Sequence, residues 1–350
     1  MIDYLQLAIE LAFKARPSPN PRVGAVIVKN EVVIGKGFHA KCGELHAEVN
    51  AINSVRDKSL LRGATLYVTL EPCSHLGKTP PCTDLIIASG ISKVVIGSID
   101  ANPLVFGVKT LREKGITCEF IDNNECKVMN EAFFYWIKTK TPFIFLKMAM
   151  TLDGKIATAN GCNESISNEK SHALSNSWRG EYDAILVGVN TILNDDPRLT
   201  NRTTSINPIR IILDSTLKIP LDAKVLQPTA RRIIATTVSH DKKKKLELEA
   251  NGVDVLIVKD DAGKVDLKDL LAQLGKMNVT SILVEGGSQV ASSFVQENLV
   301  KKAAFFIAPR ILGNGINAFN LQVGKMSDAV HLKDVKTTKI DDDVLLEGYF

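Results

Sequence analysis

The sequence predicts an α/β protein of two domains. Three observations carry that reading. The chain has 350 residues, long for a single core. Its apolar residues alternate between helical and strand periods. A fresh strand pattern starts at Phe143, directly after Thr139-Lys140-Thr141-Pro142. The domains are therefore expected at 1–142 and 143–350.

Composition fits this reading. Hydrophobic residues make up 45% and charged residues 23%, enough for full cores in an ordinary soluble protein. The net charge of +4 suits an anionic metabolite and argues against nucleic acid, which calls for a strong basic stripe. The basic run Lys242 to Lys245 reads as a solvated helix start or loop. No apolar run reaches the ~18 residues of a membrane helix. Met1-Ile2-Asp3-Tyr4 does not open a signal peptide, and six irregularly spaced cysteines do not form a disulfide framework. A cytoplasmic protein with reduced thiols is expected.

In chain order, Leu5, Ala8, Ile9, Ala12 and Phe13 give a helical period over Tyr4 to Arg16, ended by Pro17. Val23 to Val28 and Val32 to Phe38 flank Lys29-Asn30-Glu31 as a hairpin. His46 to Val55 reads as a helix, Ala64 to Leu70 as a strand, and Pro81 to Ala88 as a helix with proline in its first turn. Strands follow at Val94 to Ile99 and Ile116 to Ile121 around a helix at Val108 to Lys114. One helical segment, Asn124 to Lys138, closes the first half. The second half has strands at Phe143 to Met150, Ala184 to Val187, Ile209 to Leu213, Arg232 to Thr236, Val253 to Val258, Ser281 to Val284 and Ala303 to Ile307. Helical stretches separate most of them.

Residues 46–82 hold the most specific signal: His46-Ala47-Glu48, then Glu71-Pro72-Cys73, then Pro80-Pro81-Cys82. One imidazole and two thiolates give three soft ligands and leave the fourth tetrahedral position of a zinc ion open to water. Glu48, two residues past the histidine, is placed to move a proton without being a ligand. This is the histidine-x-glutamate and proline-cysteine logic of zinc nucleobase deaminases. Other readings of the cysteines are buried thiols, a disulfide, or a closed structural zinc with His75, Cys42 or His39 as fourth ligand. A structural site would not need Glu48. Residues i and i+2 do not share a helix face, so His46 and Glu48 must converge from a first turn.

The pattern differs from the short deaminase motif in one respect. Eight residues, Ser74 to Pro81, separate the cysteines where two are usual. With Thr69-Leu70-Glu71-Pro72-Cys73-Ser74-His75, this segment resembles the bifunctional pyrimidine deaminase/reductase family of riboflavin biosynthesis. The resemblance implies a cytidine-deaminase-like αβα domain followed by a dihydrofolate-reductase-like αβ domain. Asn20, His39, Lys78, Thr79, Asp100 and Asn102 are substrate-side candidates of the first site. The family usually has Asp-Pro-Asn-Pro where this chain has Asp100-Ala101-Asn102-Pro103.

Three clusters of the second half fit the same resemblance: Lys147 with Thr151-Leu152-Asp153-Gly154, the run Thr191 to Thr200, and Val284-Glu285-Gly286-Gly287-Ser288. Glycines between a strand and a helix let backbone amides approach a phosphate. No Gly-x-Gly-x-x-Gly fingerprint supports a Rossmann domain. The resemblance implies NADPH near Ala149, Ser165, Thr191, Asp195, Ser215 and the run Gly287, Ser288, Gln289, Val290, Ala291, Ser292, Ser293. It implies a sugar phosphate near Asn163, Arg179, Leu199, Arg202 and Glu285. Arg179 and Arg202 suit a phosphate as bidentate donors; their ordinary alternative is a surface salt bridge. Ser165 stands where the family usually has tryptophan.

The implied activities are hydrolytic deamination of 2,5-diamino-6-ribosylamino-4(3H)-pyrimidinone 5′-phosphate with zinc and Glu48, then NADPH-dependent reduction of ribosyl to ribityl. Lys147 and Glu285 are the catalytic candidates of the second step. The expected partners are a phosphorylated pyrimidine and NADPH, with no nucleic acid and no membrane, in a homo-oligomer. Two alternatives remain open from the residues: another zinc deaminase with an accessory nucleotide-binding domain, and a non-catalytic nucleotide-binding module with structural zinc.

Overall fold

A computed structural model describes residues 2–76, 80–160, 164–204 and 206–350. Lys78, Thr79 and Asn163 of the expected sites lie outside the described residues. The chain divides into two compact units, one up to Lys140 and one from Thr141 to Phe350.

The first unit contains α1 (Tyr4–Ala12), β1 (Gly24–Lys29), β2 (Val32–Phe38), α2 (Ala47–Ser54), β3 (Thr65–Val68), α3 (Cys82–Ala88), β4 (Lys93–Ile96), α4 (Gly107–Glu113), β5 (Thr117–Phe120), α5 (Asn124–Met129) and α6 (Glu131–Thr139). Its sheet runs β2-β1-β3-β4-β5. The first three strands are antiparallel, whereas β3, β4 and β5 are parallel. Asn30 and Glu31 both take positive φ, the two-residue turn whose twist matches a hairpin. Ala25, Ile27, Leu66, Val68, Val94 and Ile96 fill the face that packs on α2 and α3.

Two helices differ from the sequence expectation. α1 ends at Ala12, short of Arg16, because its last turn opens ahead of Pro17 and leaves Phe13 exposed. The expected Asn124 to Lys138 helix is two helices broken at Asn130. The buried Asn130 side chain accepts from the Arg22 amide (2.8 Å) and donates to the Arg22 carbonyl (2.9 Å). It holds both the amide and the carbonyl of the Arg22 loop backbone, and the helix yields to it.

The second unit contains β6 (Phe143–Thr151), β7 (Lys155–Thr158), α7 (Glu169–Trp178), β8 (Ala184–Gly188), α8 (Val189–Asp195), β9 (Ile209–Leu213), β10 (Arg232–Thr236), α9 (Lys242–Ala250), β11 (Asp254–Ile257), β12 (Asp260–Asp261), β13 (Lys264–Val265), α10 (Leu267–Lys276), β14 (Ser281–Val284), α11 (Ser288–Gln296), β15 (Lys302–Ala308), β16 (Gly315–Asn317), β17 (Lys333–Ile340) and β18 (Asp343–Tyr349). Nine strands form one sheet, β11-β10-β9-β8-β14-β6-β15-β18-β17. It is parallel from β11 to β15 and antiparallel from β15 to β17. Apolar side chains cover both faces of its centre, as a parallel sheet requires. The basic run opens α9, whose cap Asp241 accepts from the amides of Lys243 and Lys244.

Period-2 alternation sorts β6 functionally. Ile144, Leu146 and Met148 enter one core, so Phe145, Lys147 and Ala149 project to the other face. There Phe145 stacks on Tyr182 and meets Trp178 edge-on. Lys147 lies over the Phe306 ring, 5.6 Å from its centroid.

Candidate active sites

In the first unit, His46 is the N-cap of α2, with extended backbone (φ −71, ψ 163). It is therefore outside the helical repeat. This lets its ring and the first-turn Glu48 serve one site despite their i, i+2 spacing. Cys73 lies on the segment leaving β3, and Cys82 opens α3 and donates its amide to Cys73 Sγ (3.3 Å). His46 Nδ1 lies 3.2 Å from Cys82 Sγ and 3.5 Å from Cys73 Sγ. Zinc bonds of about 2.0 Å to nitrogen and about 2.3 Å to sulfur, at tetrahedral angles, set nitrogen and sulfur about 3.5 Å apart. The donor set and its spacing fit a zinc ion. Among the described residues these three alone form such a group, and neither His75, Cys42, His39 nor Glu48 joins them.

The two thiols titrate as a pair, and the Cys73 contact together with burial pushes the Cys82 thiol up. Hydrogen bonds from Cys82 and His46 pull the Cys73 thiol well below its usual range, toward thiolate. The same Cys73 contact raises His46. Glu48 is only 4% exposed. Burial first, and then the charge of Cys73, push its carboxyl up to about 7.

Asn20 and His39 flank the donor group. The His39 ring meets the His46 ring edge-on at 5.2 Å. His39 Nδ1 lies 3.0 Å from the Leu45 carbonyl, which only accepts, so Nδ1 carries the proton. Nε2 then accepts from Asn20 Nδ2 at 2.9 Å. Burial lowers the pKa of His39, which favours this neutral form.

Asp100 and Asn102 lie on the loop after β4, where Asp100 accepts from the Asn102 amide (2.8 Å). Burial, reinforced by Glu71, raises Asp100 to about 6. Glu71 belongs to the Glu71-Pro72-Cys73 motif, in which the sequence assigns it no role. It is buried and accepts from the amides of Val108 (2.9 Å) and Asp100 (3.4 Å), tying the Asp100 loop to the Cys73 segment. Gly107 completes that contact, since a Cβ there would lie 2.0 Å from the Pro72 carbonyl oxygen. A glutamate immediately before the Pro-Cys pair was the available signal.

The second unit gathers Lys147 of mid-β6, Arg179 at the end of α7 and Glu285 just past the end of β14. Arg179 Nε and Nη2 grip the two Glu285 oxygens at 3.0 and 2.8 Å, and Nη1 donates to the Thr200 carbonyl at 3.2 Å. The side chains are 16% and 11% exposed, so this is no surface salt bridge. Burial alone would raise Glu285, but the charge and hydrogen bonds of Arg179, with Lys147, hold it below its usual range. Burial lowers Lys147.

The glycine turn behaves as its residues suggest at Gly287. A Cβ there meets nothing within 4 Å, and the φ of −70 is ordinary. The neighbouring Ser288 hydroxyl is buried without a partner among the described residues. Open space beside an orphaned donor at a helix start fits a cofactor phosphate. Gly286 and Gly188 serve packing, since a Cβ on either would press on Val290, at 2.5 and 2.9 Å.

The other expected contacts spread over several elements. Ala291 is fully buried, and the Ser292 hydroxyl accepts from the Asn320 amide (2.8 Å), so both side chains belong to the core. Gln289 is exposed, and Ser293 lies one turn further along α11. Leu199 is buried with positive φ (50), which leaves only its backbone for a ligand. Thr191 and Asp195 lie on α8. The Ser215 carbonyl is held by the hydroxyls of Thr236 and Thr237. Arg202 is exposed. Ser165 Oγ lies 2.5 Å from His172 Nε2, and His172 was missed by the sequence reading.

Two family descriptions match the chain. Residues 2–98 match the cytidine and deoxycytidylate deaminase zinc-binding region, and residues 142–346 match the RibD C-terminal domain. The riboflavin biosynthesis protein RibD of Aquifex aeolicus is 41% identical over 98% of this chain and 97% of its own length. The chain belongs to the RibD family. The RibD of Actinobacillus pleuropneumoniae is 43% identical over 99% of this chain and 94% of its own. A Thermotoga maritima structure is described as a diaminohydroxyphosphoribosylaminopyrimidine deaminase/5-amino-6-(5-phosphoribosylamino)uracil reductase. It superposes with TM-score 0.87 at 38% identity, covering 99% of this chain and 97% of that one. Acinetobacter baumannii RibD gives TM-score 0.88 at 34% identity over the same shares. This RibD-family chain is a deaminase and reductase of riboflavin biosynthesis, with a zinc-binding deaminase domain and a reductase domain that uses NADPH. No described helix is long and apolar enough to cross a membrane.

Proposed function

We propose that the first unit deaminates 2,5-diamino-6-ribosylamino-4(3H)-pyrimidinone 5′-phosphate and that the second reduces the ribosyl group of the product to ribityl. The observation that carries the reading is the His46, Cys73, Cys82 donor triangle beside a buried carboxylate that is not part of it. Bound zinc supplies Lewis acidity to a water molecule, and bound NADPH supplies hydride. Glu48 takes a proton from that water and returns it to the departing amine as ammonia leaves. Asn20 and His39 hold the pyrimidine edge, and Asp100 and Asn102 hold the polar groups beyond it. Lys78 and Thr79 belong to the same substrate side.

In the second unit, Arg179 fixes Glu285 as a carboxylate. Glu285 is therefore an orienting acceptor for the sugar, with no proton to give near neutrality. Lys147, with its lowered proton affinity, gives a proton to the ring oxygen as the sugar opens, while the first sugar carbon receives hydride. Arg202 and Asn163 meet the sugar phosphate. Gly287 and Ser288 hold a cofactor phosphate, with Ala149, Ser165, Thr191, Asp195, Ser215, Gln289 and Val290 along the rest of the nucleotide. The protein works as a homo-oligomer in the cytoplasm, where reduced thiols are available to the metal.

Each unit holds its own sheet and core, so each acts alone. A fragment of residues 1–140 should fold, bind about one zinc ion per chain and release ammonia without NADPH. Circular dichroism, metal analysis and an ammonia assay check this. A folded, zinc-loaded fragment that never deaminates the diamino ribotide contradicts the assignment of the first reaction to this unit.

A further inference from the structure

Between β4 and α4, every second amide from Asp100 to Val108 donates to a side chain. The middle of this loop shapes itself. Asn102 donates to Asp100 Oδ1 (2.8 Å) and Leu104 to Asn102 Oδ1 (3.1 Å). Its two ends are held from outside. Glu71 Oε2 accepts from the Asp100 amide (3.4 Å) and Glu71 Oε1 from the Val108 amide (2.9 Å), so one buried side chain spans the loop. Ser74 Oγ accepts from the Phe106 amide (2.8 Å), and the Glu71 amide donates to the Ser98 carbonyl (2.9 Å). Glu71 and Ser74 lie on either side of Cys73 in the chain. The two segments also touch directly, since a Cβ on Gly107 would lie 2.0 Å from the Pro72 carbonyl oxygen and 3.1 Å from Glu71 Cγ. Asp100 is close enough to Cys73 and His75 for their charges to act on it.

We infer that Glu71 is a positioning residue of the deaminase site: it fixes Asp100 in place relative to Cys73 and so governs how tightly the pyrimidine ribotide is held. This rests on the proposed reading of Asp100 as a substrate contact. Glu71 is no member of the donor group, and both its carboxyl oxygens are engaged by loop amides. It therefore acts through the loop rather than on metal or substrate. A carboxyl suits this task because it accepts at both oxygens. A carboxamide of the same shape accepts at one end and turns N–H groups toward an amide N–H at the other. A loop fixed before the ligand arrives leaves less ordering to be done on binding. Loosening it weakens substrate binding, while proton transfer by Glu48, which lies on α2, is left in place.

The test is a double-mutant cycle on the full-length protein, read by ammonia release from the diamino pyrimidine ribotide. Glu71→Gln should raise KM about tenfold and leave kcat within about threefold, because a buried loop amide loses its acceptor. Asp100→Ala should raise KM at least as much. In the double variant KM should match that of Asp100→Ala alone, since a residue that acts through Asp100 then has nothing left to position. A Glu71 that only supports the fold would add its own loss to that of Asp100→Ala. Zinc content, and NADPH oxidation with the deaminated ribotide, should stay at wild-type levels in all three variants and show that they are folded. If Glu71→Gln does not fold, Glu71→Asp takes its place, being one methylene too short to reach both amides. An unchanged KM in the Glu71 variant, or additive losses in the double variant, overturns the inference. A normal KM in Asp100→Ala overturns it as well, together with the role of Asp100, while ammonia release by the wild type keeps the proposed reaction.

Discussion

Glu48→Gln should retain about one zinc ion per subunit and lose deamination by at least ~100-fold. The amide has nearly the volume of the carboxyl, so the buried pocket beside His46 stays filled. His46, Cys73 and Cys82 keep their mutual spacing, because Glu48 is no member of the donor group. Only the capacity to carry a proton between water and amine is removed. Metal analysis and the rate of ammonia release, measured on one preparation, check both halves of the expectation. Loss of zinc would make Glu48 part of the metal centre, and near-normal turnover would remove it from the chemistry.

Gly287→Val should raise the Michaelis constant for NADPH about tenfold or more, equivalent to about 1.4 kcal/mol of binding. The position suits the test because the folded protein tolerates a side chain there. A Cβ meets no atom within 4 Å, and the backbone has an ordinary φ of −70. The added methyls enter the space beside the unpartnered Ser288 hydroxyl, where a phosphate would approach the first amides of α11. Zinc content and ammonia release should be unchanged. The adjacent Gly286→Val could not separate these effects, since its Cβ would press on Val290. Equal loss of both activities in Gly287→Val would indicate a damaged fold rather than a filled cofactor site. Wild-type protein should also prefer NADPH over NADH.

The sequence and the structure agree most closely where chemistry is local. His46, Glu48, Cys73 and Cys82 fall within 37 residues, each next to a helix start or strand end that the apolar period already marks. Their convergence depended on one feature that spacing cannot express, the extended backbone of His46 at the cap of α2. The second site was legible as separate clusters but not as a site. Arg179 and Glu285 lie 106 positions apart and are joined only by the strand order of the parallel sheet. The pair also changes the meaning of Arg179, since much of its guanidinium is engaged by a carboxylate instead of facing a phosphate. His172 carried no signal, because an isolated histidine on a polar helix resembles any solvated residue.

Elsewhere the misses have local causes. Asn130 sits inside an apolar helical period, and its bonds to the distant Arg22 backbone break that helix. The β17–β18 hairpin was not anticipated. β17 is exposed along nearly all its length and carries lysines at Lys333, Lys336 and Lys339, so no apolar alternation marks it. Its turn is nevertheless structural. The buried Asp343 accepts from the Asn168 amide (2.8 Å) and the Ser171 hydroxyl (2.6 Å), fixing the start of α7, the helix that carries His172.

The most direct test of the two-reaction account is to give purified full-length protein the diamino pyrimidine ribotide and follow ammonia and NADPH absorbance together. Without NADPH, ammonia should be released and the reaction should stop at the deaminated ribotide. With NADPH, oxidation should follow ammonia release and approach one NADPH per ammonia. Ammonia release with no oxidation of NADPH, even when the deaminated ribotide is supplied directly, would contradict the account.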